Sequence, residues 1–342
     1  MRVLSAMSGG VDSSVATALL VEAGHEVHGV TLRLWGGEAD QGCCSVADVE
    51  DARRVADHLG VDHHVFNFGP DFDRHVVAPY VAAHAAGRTP NPCLECNRHL
   101  KFDRLLARAS ALGFDAVATG HHARVVARHD GTFRVARGAD PAKDQSYVLH
   151  MLDQAALARV LLPVGTMTKA EVRERAADLD LRTAAKPDSQ DVCFIAAGPG
   201  REGFLGERLT FTPGRVVEAD GRQVGSVAAV EVVTVGQRRR LGLDPSVRAP
   251  RFVTDVDVTT ATVTVGSRED LLVDGEDLVD AVWADRPVAG PVLVQCSAHG
   301  EVRDGVLAGD RIEWATPQPR VAPGQSVVFY DGDEVLGGAI TA

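Results

Sequence analysis

The sequence predicts an α/β protein: a doubly wound parallel sheet followed by two small, mostly β modules. Three observations carry this expectation. Up to about residue 120, short apolar runs alternate with amphipathic stretches of helical length, the pattern of parallel strands joined by right-handed crossovers. After about residue 197, glycine and proline instead punctuate short β-branched runs. A chain of 342 residues, 45% hydrophobic and 24% charged, is long enough for about two or three domains with full cores. The expected divisions are 1–197, 198–268 and 269–342, the second falling near Gly266–Asp270.

Each element has its own warrant. RVLSAM (2–7) reads as a buried strand. The helix that follows places Val15, Leu19 and Ala23 on one face and stops at Gly24. EVHGVTLRL (26–34) is a second strand. Ser45, with Asp48 three residues on, caps a helix whose Val49, Ala52, Ala56 and Leu59 share a face and which ends at Gly60. HHVFNF is the third strand. HLKFDRLLARASALG is a helix with Phe102, Leu105, Leu106, Ala109 and Leu112 inward, and DAVATG is the fourth strand. A further helix over 168–181 has Thr168 as N-cap and Glu171 at its third position. The later runs, from GRVVEADGRQVGSV to SVVFYDGDEVLGGAI, are strands, with Asp331-Gly332 marking a hairpin.

Bulk composition excludes some functions. A net charge of −12 and a pI near 5.5 argue against a general polyanion binder, although a local basic groove can work on an acidic body. No run approaches the roughly 20 apolar residues of a membrane span, and the N-terminal run breaks at Gly9-Gly10, unlike a signal peptide. Six irregularly spaced cysteines suggest individual thiols in a reducing cytoplasm. Of 35 basic residues only four are lysine: Lys101, Lys143, Lys169 and Lys186. In an arginine-rich chain these hint at a need for compact ammonium groups.

Ser-Gly-Gly-Val-Asp-Ser (8–13) lies between the first strand and helix. Glycines let backbone N–H groups close around an anion at a helix N-terminus, and Ser8, Ser13 and Ser14 add hydroxyls. The lysine of the commonest phosphate loop is missing. Asp12 would repel a phosphate unless Mg²⁺ lay between them. In an open parallel sheet this turn, Leu32 and Gly120-His121 all fall at the carboxyl edge, where ligands bind.

The cysteines leave several readings open. Cys93 and Cys96 form a C-x-x-C beside Arg98 and Lys101 at the start of a helix, a setting that lowers thiol pKa. Cys193 lies between Asp188 and Asp191, Cys43 and Cys44 sit in a glycine-rich loop, and Cys296 reads as core. Cys93, Cys96 and Cys193 with a histidine could hold zinc or an iron–sulfur cluster, but no second C-x-x-C or finger-type spacing accompanies them. Alternatively one cysteine carries a transferable sulfur and another resolves it.

Residues 8–13 resemble the PP-loop of the ATP pyrophosphatases, in which the loop holds the pyrophosphate that leaves as ATP adenylates a substrate oxygen. SGGVDSS, NPC--CN---KF, ATGHHAR, KDQSYVLHML, TK-EVR and DSQDVCFI together resemble the tRNA-specific 2-thiouridylases over essentially the whole chain. VGQRRRLGL resembles that family's central signature, and the C-terminal run its β-barrel.

The resemblance implies ATP at Ala6, Met7, Ser8, Gly9, Gly10, Val11, Asp12 and Ser13, adenosine near Leu32 and Gly120, and Mg²⁺ near Asp12 with no permanently bound metal. It implies Cys193 as persulfide carrier and Cys96 as its partner nucleophile, releasing the sulfur or forming a disulfide. It also implies a tRNA with uridine 34, a sulfur-relay donor protein, no membrane partner, and tRNA contacts at Asn91, Pro92, His121, Lys143, Asp144, Gln145 and Gln325.

Three positions depart from the family pattern. Cys93 stands where many members have an acid, Val227 and Ala229 replace a histidine–glycine pair, and Ser297-Ala298 replaces an Arg-Tyr pair. The main alternatives are another adenylating PP-loop enzyme, such as an amide-forming synthetase or a 4-thiouridine or cytidine thiolase, and a metal-bearing RNA-binding module.

Overall fold

A computed structural model describes residues 1–34, 45–188, 192–195, 198 and 200–342; Cys43, Cys44 and Asp191 lie outside the described residues. Its first layer is a parallel sheet. β1 (Arg2–Ala6), β2 (Glu26–Arg33), β3 (His63–Asn67), β4 (Ala116–Ala118) and β7 (Val160–Leu161) stand in the order β3-β2-β1-β4-β7. The order reverses direction between β1 and β4, which opens a crevice at their carboxyl ends.

Helices cover both faces. α1 (Val11–Glu22) and α2 (Val46–Leu59) pack Val15, Ala16, Ala52 and Val55 on one side. The helical segments 69–85 (α3) and 92–111 (α4) pack Phe72, Tyr80, Leu100 and Leu105 on the other. Period-two alternation makes this possible: Val3 faces Leu20, whereas Leu4 faces the α3–α4 side.

Local signals act as expected at several ends. Ser45 Oγ accepts from Asp48 N, and Gly60 closes α2 in the left-handed conformation at φ 70°. Thr168 and Glu171 form a reciprocal capping box at α5 (Lys169–Asp178). Two helical faces differ from expectation. In α1 the buried residues run around the helix, because sheet, α2 and α5 enclose it, while Ala23 is exposed. Leu112 is 44% exposed because it lies beyond the last inward turn of α4.

The second sheet has the order β10-β11-β8-β9, from β8 (Gly214–Glu218), β9 (Gln223–Val227), β10 (Phe252–Asp257) and β11 (Thr262–Gly266). Val227 and Ala229 are buried in this module. Arg238, Arg239 and Arg240 occupy an exposed turn and not a strand.

The six strands from β12 (Leu272–Trp283) to β17 (Glu334–Thr341) close into a barrel, the last strand pairing with the first. Its core stacks Trp283 on Phe329. A hairpin missed by the sequence reading, β5 (Ala123–Ala127) and β6 (Phe133–Arg137), joins the barrel sheet through Ala136 and Glu334. No described helix is long and apolar enough to cross a membrane.

Candidate active site

The glycine turn is held in shape by its own side chains. Gly9 sits at φ 74°, and a Cβ there would lie 2.3 Å from the Asp48 carbonyl oxygen. Ser8 N donates to Ser13 Oγ at 3.2 Å, while Ser13 Oγ and Ser14 Oγ donate to the Gly10 carbonyl at 3.1 and 2.8 Å. Gly120, at the end of β4, approaches so closely that a Cβ would lie 2.6 Å from Ser13 N. The two sides of the crevice thus meet backbone to backbone at the first turn of α1.

Above this turn opens a cleft of about 970 Å³. Ala6, Met7, Ser8, Asp12, Ser13, Leu32 and Gly120 line it; Gly9, Gly10 and Val11 shape the turn behind the wall, and Val11 is buried. From the other side the cleft receives Asn91, Pro92, His121, Lys143, Asp144, Gln145 and Gln325. The same wall carries Cys93, Cys96 and Cys193. Cys96 is buried, and Cys93 and Cys193 are half-buried.

The lysine absent from the turn arrives from elsewhere in the chain. Lys169, the first residue of α5, places Nζ 2.7 Å from both Asp12 oxygens and 2.9 Å from Asp188. His122 Nε2 lies 3.0 Å from Asp12 Oδ1. Burial works against an ionised Asp12, but hydrogen bonds from His122 and Lys169 outweigh it and hold its carboxyl below the usual range. Asp188 behaves likewise under Lys143 and Lys169 and also meets Arg173 at 2.7 Å.

Lys186 Nζ donates to the Gly9 carbonyl at 3.0 Å and to Asp48 and Asp51 at 2.6 and 2.8 Å. Burial disfavours its charge, yet the two carboxylates raise its pKa overall. All four lysines therefore stand at the cleft or directly behind its turn. Asp12 does not fit as a direct Mg²⁺ ligand while Lys169 holds both oxygens, and the described residues contain no group of three or more His, Cys, Asp or Glu able to hold a metal.

The thiols are positioned by one helix and one aromatic anchor. Asn91 Oδ1 accepts from Cys93 N at 3.0 Å as N-cap, and Pro92 fills the first helical position, where no donor is needed. From Cys96 to Arg104 the helix takes π-type hydrogen bonding, then continues as α-helix. Asn97 is buried beside Cys96 and donates to the Val148 carbonyl at 3.0 Å. Phe194, next to Cys193, packs edge-on to Phe72, Tyr80 and Phe204 with ring centroids 5.4, 5.9 and 5.0 Å away. Cys296 lies apart, against the barrel core, where burial pushes its thiol up to about 11.

Several cleft residues also join the modules. Thr89 receives a hydrogen bond from Gln325 of the barrel, donates to Pro323 O at 2.8 Å, and touches Thr234 of the central module at 3.2 Å. Asp144 accepts from Arg137, Gly138 N and Ser146, and Arg137 lies over Tyr330 at 4.0 Å. Arg134 is buried at the same hairpin. Lys143 is thus the cationic group of that set exposed toward the cleft, where it pairs with Asp188 at 2.7 Å. His121 is buried, with Nδ1 2.7 Å from Thr119 Oγ1 and Lys101 Nζ 3.5 Å from its Nε2; burial, then the charges of Lys101 and His122, keep it neutral.

The sequence reading missed the partners of Lys169 and Lys186, for which the scarcity of lysine was the available signal. It also missed the hairpin, which Asp130-Gly131 between alternating apolar residues marks.

Comparisons with known proteins find relatives along nearly the whole chain. Residues 1–197 match the profile described as tRNA methyl transferase HUP domain, 202–267 its PRC-barrel domain, and 291–341 the Aminomethyltransferase beta-barrel domain. The tRNA-specific 2-thiouridylase MnmA of Kineococcus radiotolerans is 49% identical over 358 residues, covering 99% of this chain and 98% of that protein. Its namesake from Roseiflexus sp. is 44% identical over 369 residues, covering 98% of each. Among solved structures, a 4-thiouridine synthetase–RNA complex with bound ATP aligns at TM-score 0.37 and 18% identity, over 56% of this chain and 44% of that one. On the match of all three profiles and the near-full-length identity to its relatives, the chain belongs to the tRNA-specific 2-thiouridylase family.

Proposed function

We propose that the protein thiolates C2 of uridine 34 in tRNA, using ATP to activate the C2 carbonyl and a cysteine persulfide to supply sulfur. The supporting observation is that the glycine turn at 8–13 and three cysteines, Cys93, Cys96 and Cys193, line one cleft. Neither feature alone distinguishes sulfur transfer from other adenylation chemistry.

ATP lies with its departing pyrophosphate against Ser8–Ser13 and its adenosine toward Leu32 and Gly120. The turn supplies backbone N–H groups and serine hydroxyls, and α1 supplies its positive end. Lys169 brings the compact cation that the turn lacks. As phosphate enters, its ammonium can leave Asp12 and remain paired with Asp188, 2.9 Å away. Uridine O2 attacks the α-phosphorus, the bond to pyrophosphate breaks, and C2 becomes electrophilic. The outer sulfur of a Cys193 persulfide then adds to C2 and AMP leaves with O2. Cys96 acts as the partner nucleophile, releasing the sulfur by attack on Cys193 or pairing with it afterwards. The cleft holds these groups together and limits water, which would hydrolyse the adenylate.

The tRNA reaches this cleft past His121, Lys143, Asp144, Gln145, Asn91, Pro92 and Gln325. Lys143 serves as a phosphate contact, while Asp144 keeps the 143–145 turn in place. The working division of the chain is a catalytic domain over 1–197, a central module over 198–268 and a tRNA-binding barrel over 269–342. A sulfur-relay protein loads Cys193.

The test incubates full-length protein with ATP, Mg²⁺, a persulfide source and tRNA, measuring AMP and 2-thiouridine. AMP formation should require a tRNA with uridine 34, and Cys193→Ser should abolish 2-thiouridine. AMP release independent of that tRNA, or full thiolation by Cys193→Ser, overturns the reading.

A further inference from the structure

We propose that Cys93 is a third redox thiol of this site, which resolves a Cys96–Cys193 disulfide by closing a Cys93–Cys96 disulfide and returning Cys193 as a thiol. The proposal rests on the reading above that Cys193 carries persulfide sulfur. Its own basis is the turn that holds Cys93 and Cys96. Cys96 N–H is shared between the carbonyls of Pro92 and Cys93, so the turn contains an i→i+3 hydrogen bond. In such a turn the side chains of i and i+3 eclipse. Helical neighbours three apart start with Cβ atoms about 5–6 Å apart, and a disulfide needs about 3.5–4.5 Å, so closure takes a shift of about 1–2 Å.

Exposure agrees with the order of events. Cys93 is half-buried at the cleft, and Cys96 is buried as part of the core beneath it. Cys93 occupies the second position of a helix whose N-cap is Asn91. Cys193 lines the same cleft.

The steps balance without a further oxidant. Cys96 thiolate attacks Cys193 Sγ, the bond to the outer sulfur breaks, and that sulfur leaves as hydrosulfide. The sulfane sulfur is thereby reduced while two thiols become the Cys96–Cys193 disulfide. Cys93 thiolate then attacks Cys96 Sγ, the Cys96–Cys193 bond breaks, and Cys193 leaves as thiolate and takes up a proton. The oxidation now resides on Cys93–Cys96, at the more exposed end of the pair, and Cys193 can accept another persulfide. A small dithiol can later reduce the helical disulfide.

The exchange can be read without tRNA. Full-length protein is treated with inorganic polysulfide, freed of excess, quenched with an alkylating reagent and digested with trypsin. Cleavage after Arg88 and Arg98 leaves Cys93 and Cys96 in one peptide. The expected wild-type product is that peptide unalkylated and lighter by two hydrogens, with Cys193 alkylated. In Cys93→Ser the product becomes a cross-link between Cys96 and Cys193, and alkylated Cys193 falls at least about tenfold. A wild-type Cys96–Cys193 cross-link with Cys93 alkylated overturns the proposal. So does an intrapeptide disulfide that forms equally in Cys193→Ser, or the absence of any disulfide in the wild type.

A parallel thiolation assay separates the two readings. Normal exchange without 2-thiouridine refutes the substrate assignment alone. Repeated 2-thiouridine formation with Cys93 alkylated throughout refutes the role of Cys93 alone.

Discussion

Lys169 sets an ammonium beside a glycine turn that carries no lysine of its own. Its ammonium, 2.7 Å from Asp12, neutralises the acid that would otherwise repel phosphate at the turn. Lys169→Met should therefore lower ATP-dependent pyrophosphate release by about 10²–10³-fold, while Lys169→Arg recovers part of it. Both variants should fold, since α5 keeps its cap. Unchanged ATP kinetics in Lys169→Met would remove the residue from phosphate binding. The turn itself was legible because glycines, serines and their place between strand and helix are local facts. The Lys169–Asp12 pair was not, because 157 residues separate its members and single-sequence patterns carry no tertiary register. The same applies to Lys186 with Asp48 and Asp51. At Asp144, which the family resemblance places at the tRNA, the oxygens accept from Arg137, Gly138 N and Ser146, contacts that no sequence pattern showed.

At the scale of elements, caps and close approaches place the chemistry. The Thr168–Glu171 box fixes where α5 begins and hence where Lys169 points. Thr168→Ala should cost about 1 kcal/mol of stability and also raise the KM for ATP, a kinetic change that loss of stability alone would not produce. Thermal melts and initial rates on the same preparation read both, and an unchanged KM would detach the cap from nucleotide binding. Gly120→Ala makes a sharper case. Its Cβ would meet Ser13 N at 2.6 Å and Asp12 C at 2.7 Å, both backbone, so β4 and α1 must separate. The expectation is loss of pyrophosphate release with destabilisation of about 1–3 kcal/mol, tested by urea unfolding and rates; wild-type values for both would refute the close approach. Long periodic elements such as α2 were legible because periodicity is repeated along them. The π-helical stretch from Cys96 and the two-residue strand β7 leave no comparable repeat.

Across the whole molecule, an acidic chain gathers its few lysines at one cleft, and buried histidines tie the surrounding modules together. His84 on α3 lies 3.1 Å from the Glu231 carbonyl of the central module, and His150 packs where a Cβ on barrel residue Gly338 would meet its ring. Burial lowers both to about 4 from 6.5, against an opposing hydrogen bond to a backbone carbonyl. Because folding favours their neutral form, the unfolded chain takes up protons first as pH falls. Their stabilisation is complete above about pH 6.5 and is lost progressively toward pH 4, on the order of 3 kcal/mol each. His121 is shifted in the same direction. Asp12 and Asp188 act in a separate window: their lowered carboxyls contribute above the ordinary value of 3.8 and lose that contribution only as pH falls further. The urea midpoint should therefore fall between pH 7.5 and 5.0, before the carboxylates titrate, and His84→Gln should reduce the slope even where its stability at pH 7.5 is lower. Equal wild-type midpoints at the two pH values would show that folding leaves the proton affinity of these histidines unchanged. A slope unchanged in His84→Gln would assign the acid sensitivity elsewhere than the contact between α3 and the central module.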